Sequence, residues 1–166
     1  MKKKSKDRNI LIMGGSGFIG SNFLSYISGK GEVNRYYKII SPSHRELDIL
    51  KINQLNSVFK DFFPEFVINF AAHRDANSAE LQRHDASGSA WKTNVEGVRN
   101  ISKVCREYDS FLIHISTDMV FSGSRDNHGP YNERTQPETS SDNLSWYGWT
   151  KAEGERTLKS NKQTAI

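Results

Sequence analysis

Four apolar residues, Ile10-Leu11-Ile12-Met13, run straight into glycines at positions 14, 15, 17 and 20. This junction constrains the fold more than any other feature. An uninterrupted apolar run reads as a strand buried on both faces, and burial on both faces is the habit of a parallel sheet. The glycines at 14, 17 and 20 give the spacing G-x-x-G-x-x-G. One lets the chain turn, another lets the backbone approach a pyrophosphate, and the last lets helix and strand pack closely. A helix opening here offers free N–H groups and a partial positive charge to an anion. Taken alone, the same glycines describe an ordinary strand-to-helix turn.

The alternation continues along the chain. Strands are expected near Ile10 to Met13, Tyr37 to Ser41, Phe66 to Phe70 and Phe111 to Ser116. Helices fall between them: Gly17 to Ser28 with Gly29 and Gly31 as stops, Ile52 to Phe63 ending at Pro64, Trp91 to Tyr108, and one holding Tyr147 and Lys151 that ends near Ser160. This order predicts an α/β chain with a Rossmann-type, doubly wound parallel sheet. His73 to Ser89 and Ser122 to Asn143 lack periodicity and read as loops over a site. Gln163 to Ile166 reads as a further strand cut short, so the chain is taken as a fragment.

Charge excludes more than it suggests. The net charge is +4, and residues 1–8 hold five Lys/Arg against one Asp, which accounts for all of it. They are expected to form a basic disordered tail, with one domain over 9–166. No basic helix with interleaved aromatics follows, so nucleic acid is not an expected partner. No apolar h-region follows the lysines and no run is long enough to cross a bilayer, so neither a signal peptide nor a membrane is expected, and a cytoplasmic location is the default. The single Cys105 is expected as a small buried or half-buried thiol. No spacing among the five histidines suggests a metal site.

Two groups carry chemistry. Tyr147 and Lys151 lie four apart in helix-like sequence, hence on one helix face, and a phenol beside an ammonium suits proton donation during hydride transfer. A free tyrosine, with a pKa of about 10, needs that value lowered to exchange protons near neutrality, which is the effect expected of Lys151 and of an oxidised nicotinamide. Ser116-Thr117-Asp118 closes an apolar run at the edge where open α/β sheets bind ligands. Thr117 is expected to hold a substrate carbonyl, with Ser116 its neighbour and Asp118 orienting the group. The alternative is a strand end followed by a turn cap. After the second expected strand, Ser41-Pro42-Ser43-His44-Arg45 stands where NAD-specific chains place an acid. Arg45 and the serines can receive a 2′-phosphate, which favours NADP while leaving NAD open; the alternative for Arg45 is a solvated loop cation. Asp48 and Ile49 can meet the adenine edge, or Asp48 can cap the helix that follows.

With these residues in hand, a resemblance emerges. The glycine motif, Asn69-Phe70-Ala71-Ala72-His73, Asn94, Ser116-Thr117-Asp118-Met119-Val120-Phe121, Gly129-Pro130-Tyr131-Asn132-Glu133, and Tyr147-Gly148-Trp149-Thr150-Lys151 followed by Gly154-Glu155 resemble the extended short-chain dehydrogenase/reductase superfamily. Within it the dTDP-4-dehydrorhamnose reductase group is the most similar. The resemblance covers nearly the whole chain after the basic tail. It implies NAD(P)H-dependent reduction of the keto group of a nucleotide-linked 4-keto sugar. By position it carries over Gly17, Phe18, Ile19, Asp48, Ile49, Ala71, Ala72 and His73 as cofactor contacts and Thr117, Tyr147 and Lys151 as the catalytic group, beside Gly14 and Gly20, expected in the phosphate turn from their spacing, and Lys151, expected also to hold the nicotinamide ribose hydroxyls. Three departures bear on the sugar rather than the redox chemistry: Met119 where a tyrosine is usual, Asn77 where an acid is usual, and a longer loop from Ser122 to Trp146. The family's C-terminal substrate domain is expected beyond the point where this chain stops, so the fragment by itself is expected to have little or no activity. Competing readings are an NAD-dependent epimerase or dehydratase of the same superfamily, and a non-catalytic NAD(P)-binding regulatory subunit. A homodimer is left open.

Overall fold

The computed structural model describes residues 8–125, 128–159, 161 and 163–166. Of the basic tail expected over residues 1–8, all but Arg8 lies outside them. Arg8 is already the first residue of a strand. In chain order the elements are β1 (Arg8–Met13), α1 (Phe18–Ser28), α2 (Gly31–Tyr36), β2 (Tyr37–Ile40), α3 (Ile52–Phe62), β3 (Phe66–Asn69), α4 (Ala76–Glu80), α5 (Ser89–Trp91), a π-helical segment (Lys92–Gly97), α6 (Val98–Glu107), β4 (Phe111–His114), 3₁₀ turns at Asp118–Val120 and Ser141–Asn143, α7 (Trp146–Leu158) and β5 (Thr164–Ala165). They form two compact units, one of Met1–Ala71, Asn100–Ile115 and Asn161–Ile166, the other of Ala72–Arg99 and Ser116–Ser160.

The first unit holds the sheet, with strand order β2-β1-β3-β4-β5 and every pairing parallel. Register is set by apolar partners such as Ile10 with Ile39, Leu11 with Val67, and Val67 with Leu112. Leu11, Ile12, Val67 and Leu112 are fully buried, as are Leu55 and Phe59 of α3 and Ile101, Val104 and Cys105 of α6. This is the doubly wound parallel sheet that the apolar runs predict. Successive connections leave β1 in opposite directions, β2 lying to one side and β3 to the other. Open α/β sheets bind ligands at such a switch point, outside the carboxyl ends of the strands. Here those ends are Met13 and Asn69.

Element ends differ from expectation by a residue or two, with identifiable causes. Gly17 is the N-cap of α1 rather than its first residue. Gly29 stops α1, but Gly31 opens α2, a helix not expected. α3 ends at Phe62 because Phe63 takes a left-handed conformation (φ 49°) ahead of Pro64. Cys105 is buried, and burial pushes its thiol up to about 12.

In the second unit, the stretch read as a loop from His73 to Ser89 contains α4. Its N-cap is Asp75, whose Oδ1 accepts from the N–H groups of Asn77 (3.0 Å) and Ser78 (3.1 Å). The expected helix from Trp91 to Tyr108 begins at Ser89 and is π-helical over Lys92–Gly97. Ala79, Ala90 and Trp146 are buried together, and the Trp91 and Trp146 rings stack at 5.9 Å. Glu80 ties α4 to α7 by accepting from the Trp146 N–H at 2.8 Å. Among the described residues no helix is long and apolar enough to cross a membrane, and no three His, Cys, Asp or Glu side chains are grouped to hold a metal ion.

Candidate functional site

The glycine turn in the first unit has the shape its spacing requires. Gly14 sits at φ +75°, and a Cβ there would stand 2.5 Å from the Ala71 N and 2.7 Å from the Phe70 carbonyl carbon. A Cβ at Gly20 would overlap the Gly14 carbonyl oxygen and lie 2.8 Å from the Gly15 Cα. The Gly17 N–H donates to the Gly14 carbonyl at 3.1 Å, folding the turn on itself. Among the described residues no side chain caps α1, which leaves its first-turn N–H groups available as donors. Phe18 and Ile19 are exposed at this end. A tight glycine bend beneath an uncapped helix N-terminus, at the switch point of a parallel sheet, fits a pyrophosphate.

The β3 end is fixed from below. Asn69 and His114, both buried at the ends of β3 and β4, pair through the Asn69 Nδ2 and the His114 Nδ1 at 3.0 Å. The Asn69 Oδ1 accepts from the Ala71 N–H at 3.0 Å, so the side chain sets the backbone that Gly14 abuts.

The residues expected to receive a 2′-phosphate or adenine are less uniform. The Ser43 N–H and hydroxyl both donate to the Glu46 Oε2 at 2.8 Å, and these bonds hold the Glu46 carboxyl below the usual range. Ser43 is therefore committed to an acid rather than free for a phosphate, a correction to its expected role. The pattern Ser43-x-x-Glu46 is that of a capping box, a signal the sequence already carried. Arg45 is exposed. Asp48 accepts from the Leu50 N–H at 2.9 Å and lies 3.8 Å from the Lys51 ammonium. It closes the turn ahead of α3, whose N-cap is Lys51. Ile49 is buried, and its carbonyl accepts from the Asn100 side chain at 3.1 Å.

The second unit assembles the catalytic candidates. Thr117 is the extended N-cap of the 3₁₀ turn at Asp118–Val120. Its hydroxyl accepts from the Met119 N–H and donates to the Asp118 carboxylate at 3.2 Å. Tyr147 and Lys151 lie one turn apart on α7, as expected, with the phenol within hydrogen-bonding reach of the Thr117 hydroxyl. The phenol is pushed above its ordinary pKa. Burial is the main cause, the Thr117 bond acts against it, and the Asp118 charge adds to it. That reverses the lowering expected from Lys151. Lys151 is buried, and burial brings its ammonium down to about 8 against the opposing charge of Glu155. The Ser116 hydroxyl, beside Thr117, donates to the Glu155 carboxylate.

Residues that sequence reasoning left out of the site now join it. Glu155 is buried one turn beyond Lys151. Asn94, buried in the π segment, grips the His73 backbone at both groups: its Oδ1 accepts from the His73 N–H at 2.8 Å and its Nδ2 donates to the His73 carbonyl at 3.0 Å. The same Nδ2 lies 3.0 Å from the Thr150 hydroxyl on α7. A Cβ at Gly154 would overlap the Asn94 carbonyl oxygen, so glycine is what lets α7 lie against the π segment. Ala72 and the His73 ring are half-buried, and the buried His73 Nδ1 has no hydrogen-bond partner among the described residues. Such an orphaned atom is one that a ligand can complete.

Comparison with known proteins gives a consistent result. Residues 8–166 match the family model described as RmlD substrate binding domain. The chain is 32% identical over 149 residues to a dTDP-4-dehydrorhamnose reductase of Aggregatibacter actinomycetemcomitans, covering 90% of this chain and 46% of that protein. It is 29% identical over 157 residues to methionine adenosyltransferase 2 subunit beta of Bos taurus, covering 93% and 44% respectively. Among solved structures, the dTDP-4-dehydrorhamnose reductase of Bacillus anthracis str. Ames in complex with NADP superposes with a TM-score of 0.81 at 26% identity, covering 98% of this chain and 53% of that one. The chain spans about half the length of the curated relatives it matches.

Proposed function

This chain belongs to the RmlD substrate binding domain family, and from that premise we propose that it carries the cofactor-binding and proton-donating groups of an NADPH-dependent reductase acting on a nucleotide-linked 4-keto sugar. The observation that carries the reading is the set on α7 and its neighbouring turn: Tyr147 half-buried and Lys151 buried one turn apart on α7, which packs against the turn that Thr117 caps. The family premise is supported by the reductase relative and by the neighbour solved with NADP.

In this reading the α1 N-terminus and the Gly14–Gly20 turn hold the pyrophosphate by backbone donors alone. Arg45, exposed beyond β2, takes the 2′-phosphate. When bound, the reduced nicotinamide supplies hydride to the carbonyl carbon of the sugar. Tyr147 gives the proton to the carbonyl oxygen, and its raised pKa keeps the phenol protonated until that oxygen becomes basic. Thr117 donates a hydrogen bond to the same oxygen. Lys151, charged below about pH 8, holds the nicotinamide ribose hydroxyls.

Titration of the chain with NADPH and NADH, followed by nicotinamide fluorescence, tests the cradle. Saturable binding that is tighter for NADPH supports the reading, and no binding to either overturns it. A second reading has its own observation. The relative named as a methionine adenosyltransferase subunit matches at nearly the same identity, so the chain can instead be the nucleotide-binding part of a regulatory subunit. That reading expects NADPH binding with no Tyr147-dependent oxidation of NADPH by a dTDP-linked 4-keto sugar in the full-length protein.

A further inference from the structure

Lys151 poses a problem that its own role does not solve. An ammonium as buried as this one is costly unless a countercharge shares its burial. Glu155 stands one turn further along α7, where positions four apart face the same way, and it too is buried. The Glu155 carboxylate in turn accepts from the hydroxyl of Ser116, the residue just before Thr117. We propose that Glu155 is a positioning residue that keeps Lys151 charged and aimed, with Ser116 fixing the Glu155 carboxylate in place. Ser116 then acts through Glu155 and not on substrate.

The surrounding charges leave Glu155 this part. On α4, Glu80 is engaged by Arg83 and by the Trp146 N–H. Asp118, in the turn packed on α7, is exposed and accepts from Thr117. Lys92 of the π segment is exposed and Glu96 half-buried. The carboxylate charge acting on Lys151 is that of Glu155, and it opposes the burial that brings the ammonium down to about 8. The pair thus sets how much of the lysine is charged at neutral pH.

This inference rests on the proposed ribose-holding role of Lys151 only for its functional meaning, so the test reads the lysine directly. The chain is labelled with ¹³C at the lysine Cε, and the Lys151 signal is identified by its loss in Lys151→Arg. Its titration midpoint is then followed by NMR in the wild type, Glu155→Gln, Glu155→Asp and Ser116→Ala. An opposite charge within about 4–6 Å is worth roughly 1 unit or more. The expected result is therefore a midpoint near 8 in the wild type, a fall of about 1 unit in Glu155→Gln, a smaller fall in Ser116→Ala, and recovery in Glu155→Asp. NADPH affinity should lose its alkaline limb at correspondingly lower pH. An unchanged Lys151 midpoint in folded Glu155→Gln overturns the proposal. Should that variant fail to fold, an unchanged midpoint in Ser116→Ala overturns it equally. A shifted midpoint with no NADPH binding in any variant keeps the pair and removes the cofactor reading instead.

Discussion

Replacing Gly20 by alanine sets two effects of known size against each other. Within a helix, alanine is favoured over glycine by about 1 kcal/mol, and Gly20 lies in the first turn of α1. Propensity alone therefore predicts a gain. The added Cβ would overlap the Gly14 carbonyl oxygen and stand 2.8 Å from the Gly15 Cα. Carbon atoms pack at about 3.5 Å or more, so the helix must back away by roughly 0.7 Å. Both obstacles are backbone, which has no rotamer to yield, and overpacking of this kind costs about 1–3 kcal/mol. Set against the gain, the clash leaves a net loss of up to about 2 kcal/mol, or up to about 8 °C in Tm for a chain of this size. The displaced helix also withdraws its N–H donors from the phosphate position, so NADPH should bind at least tenfold more weakly. Gly17→Ala is the control, because its Cβ meets only the Gly14 carbonyl oxygen, at 3.3 Å. It should lose cofactor affinity with little change in stability. Urea unfolding and fluorescence titration of both variants separate the terms, and a Gly20→Ala chain more stable than the wild type by the full propensity gain would refute the steric argument.

Three further outcomes are expected. Tyr147→Phe should abolish turnover in the full-length protein while leaving NADPH affinity within about twofold; a large loss of binding means the phenol has been given the wrong part. Arg45→Asp should weaken NADPH more than NADH, since only the former carries the 2′-phosphate, and equal effects on both dissociation constants would remove the case for Arg45. Cys105, buried and pushed up to about 12, should resist alkylation in the native chain and react only on unfolding. Rapid labelling under native conditions would show that α6 opens locally.

The sheet was legible because each strand carries a short apolar run, and a parallel sheet buries both faces of such runs. All four expected strands fall where expected: β1 begins two residues earlier, at Arg8, while β2, β3 and β4 stop one or two residues short of Ser41, Phe70 and Ser116. α4 was missed because Ala76-Asn77-Ser78 has no apolar period and the helix depends on its Asp75 cap. α2 was missed because a glycine that ends one helix also begins the next. In the site, Tyr147 and Lys151 could be paired by spacing alone. The roles of Glu155 and Asn94 could not: α7 is buried around most of its circumference, so no amphipathic stripe singles out the inward carboxylate. The raised Tyr147 pKa was also out of reach, since it depends on burial and on Asp118, neither of which spacing reports.

The π-helical segment at Lys92–Gly97 has a consequence for how this chain tolerates insertion and deletion. A π turn holds more residues per revolution than the α-helix on either side, so the segment stores a phase offset between Ser89–Trp91 and α6. Each residue of an α-helix advances by about 100°. Removing a single residue from the segment would let the whole stretch rewind as ordinary helix, still continuous and still soundly hydrogen-bonded. Asn94 would then stand at a different angle around the helix axis, and its grip on the His73 backbone would be released. The helix would survive the deletion while the clamp would not, so one residue of surplus winding is the difference between a helix that merely spans this unit and one that holds the His73 backbone in place.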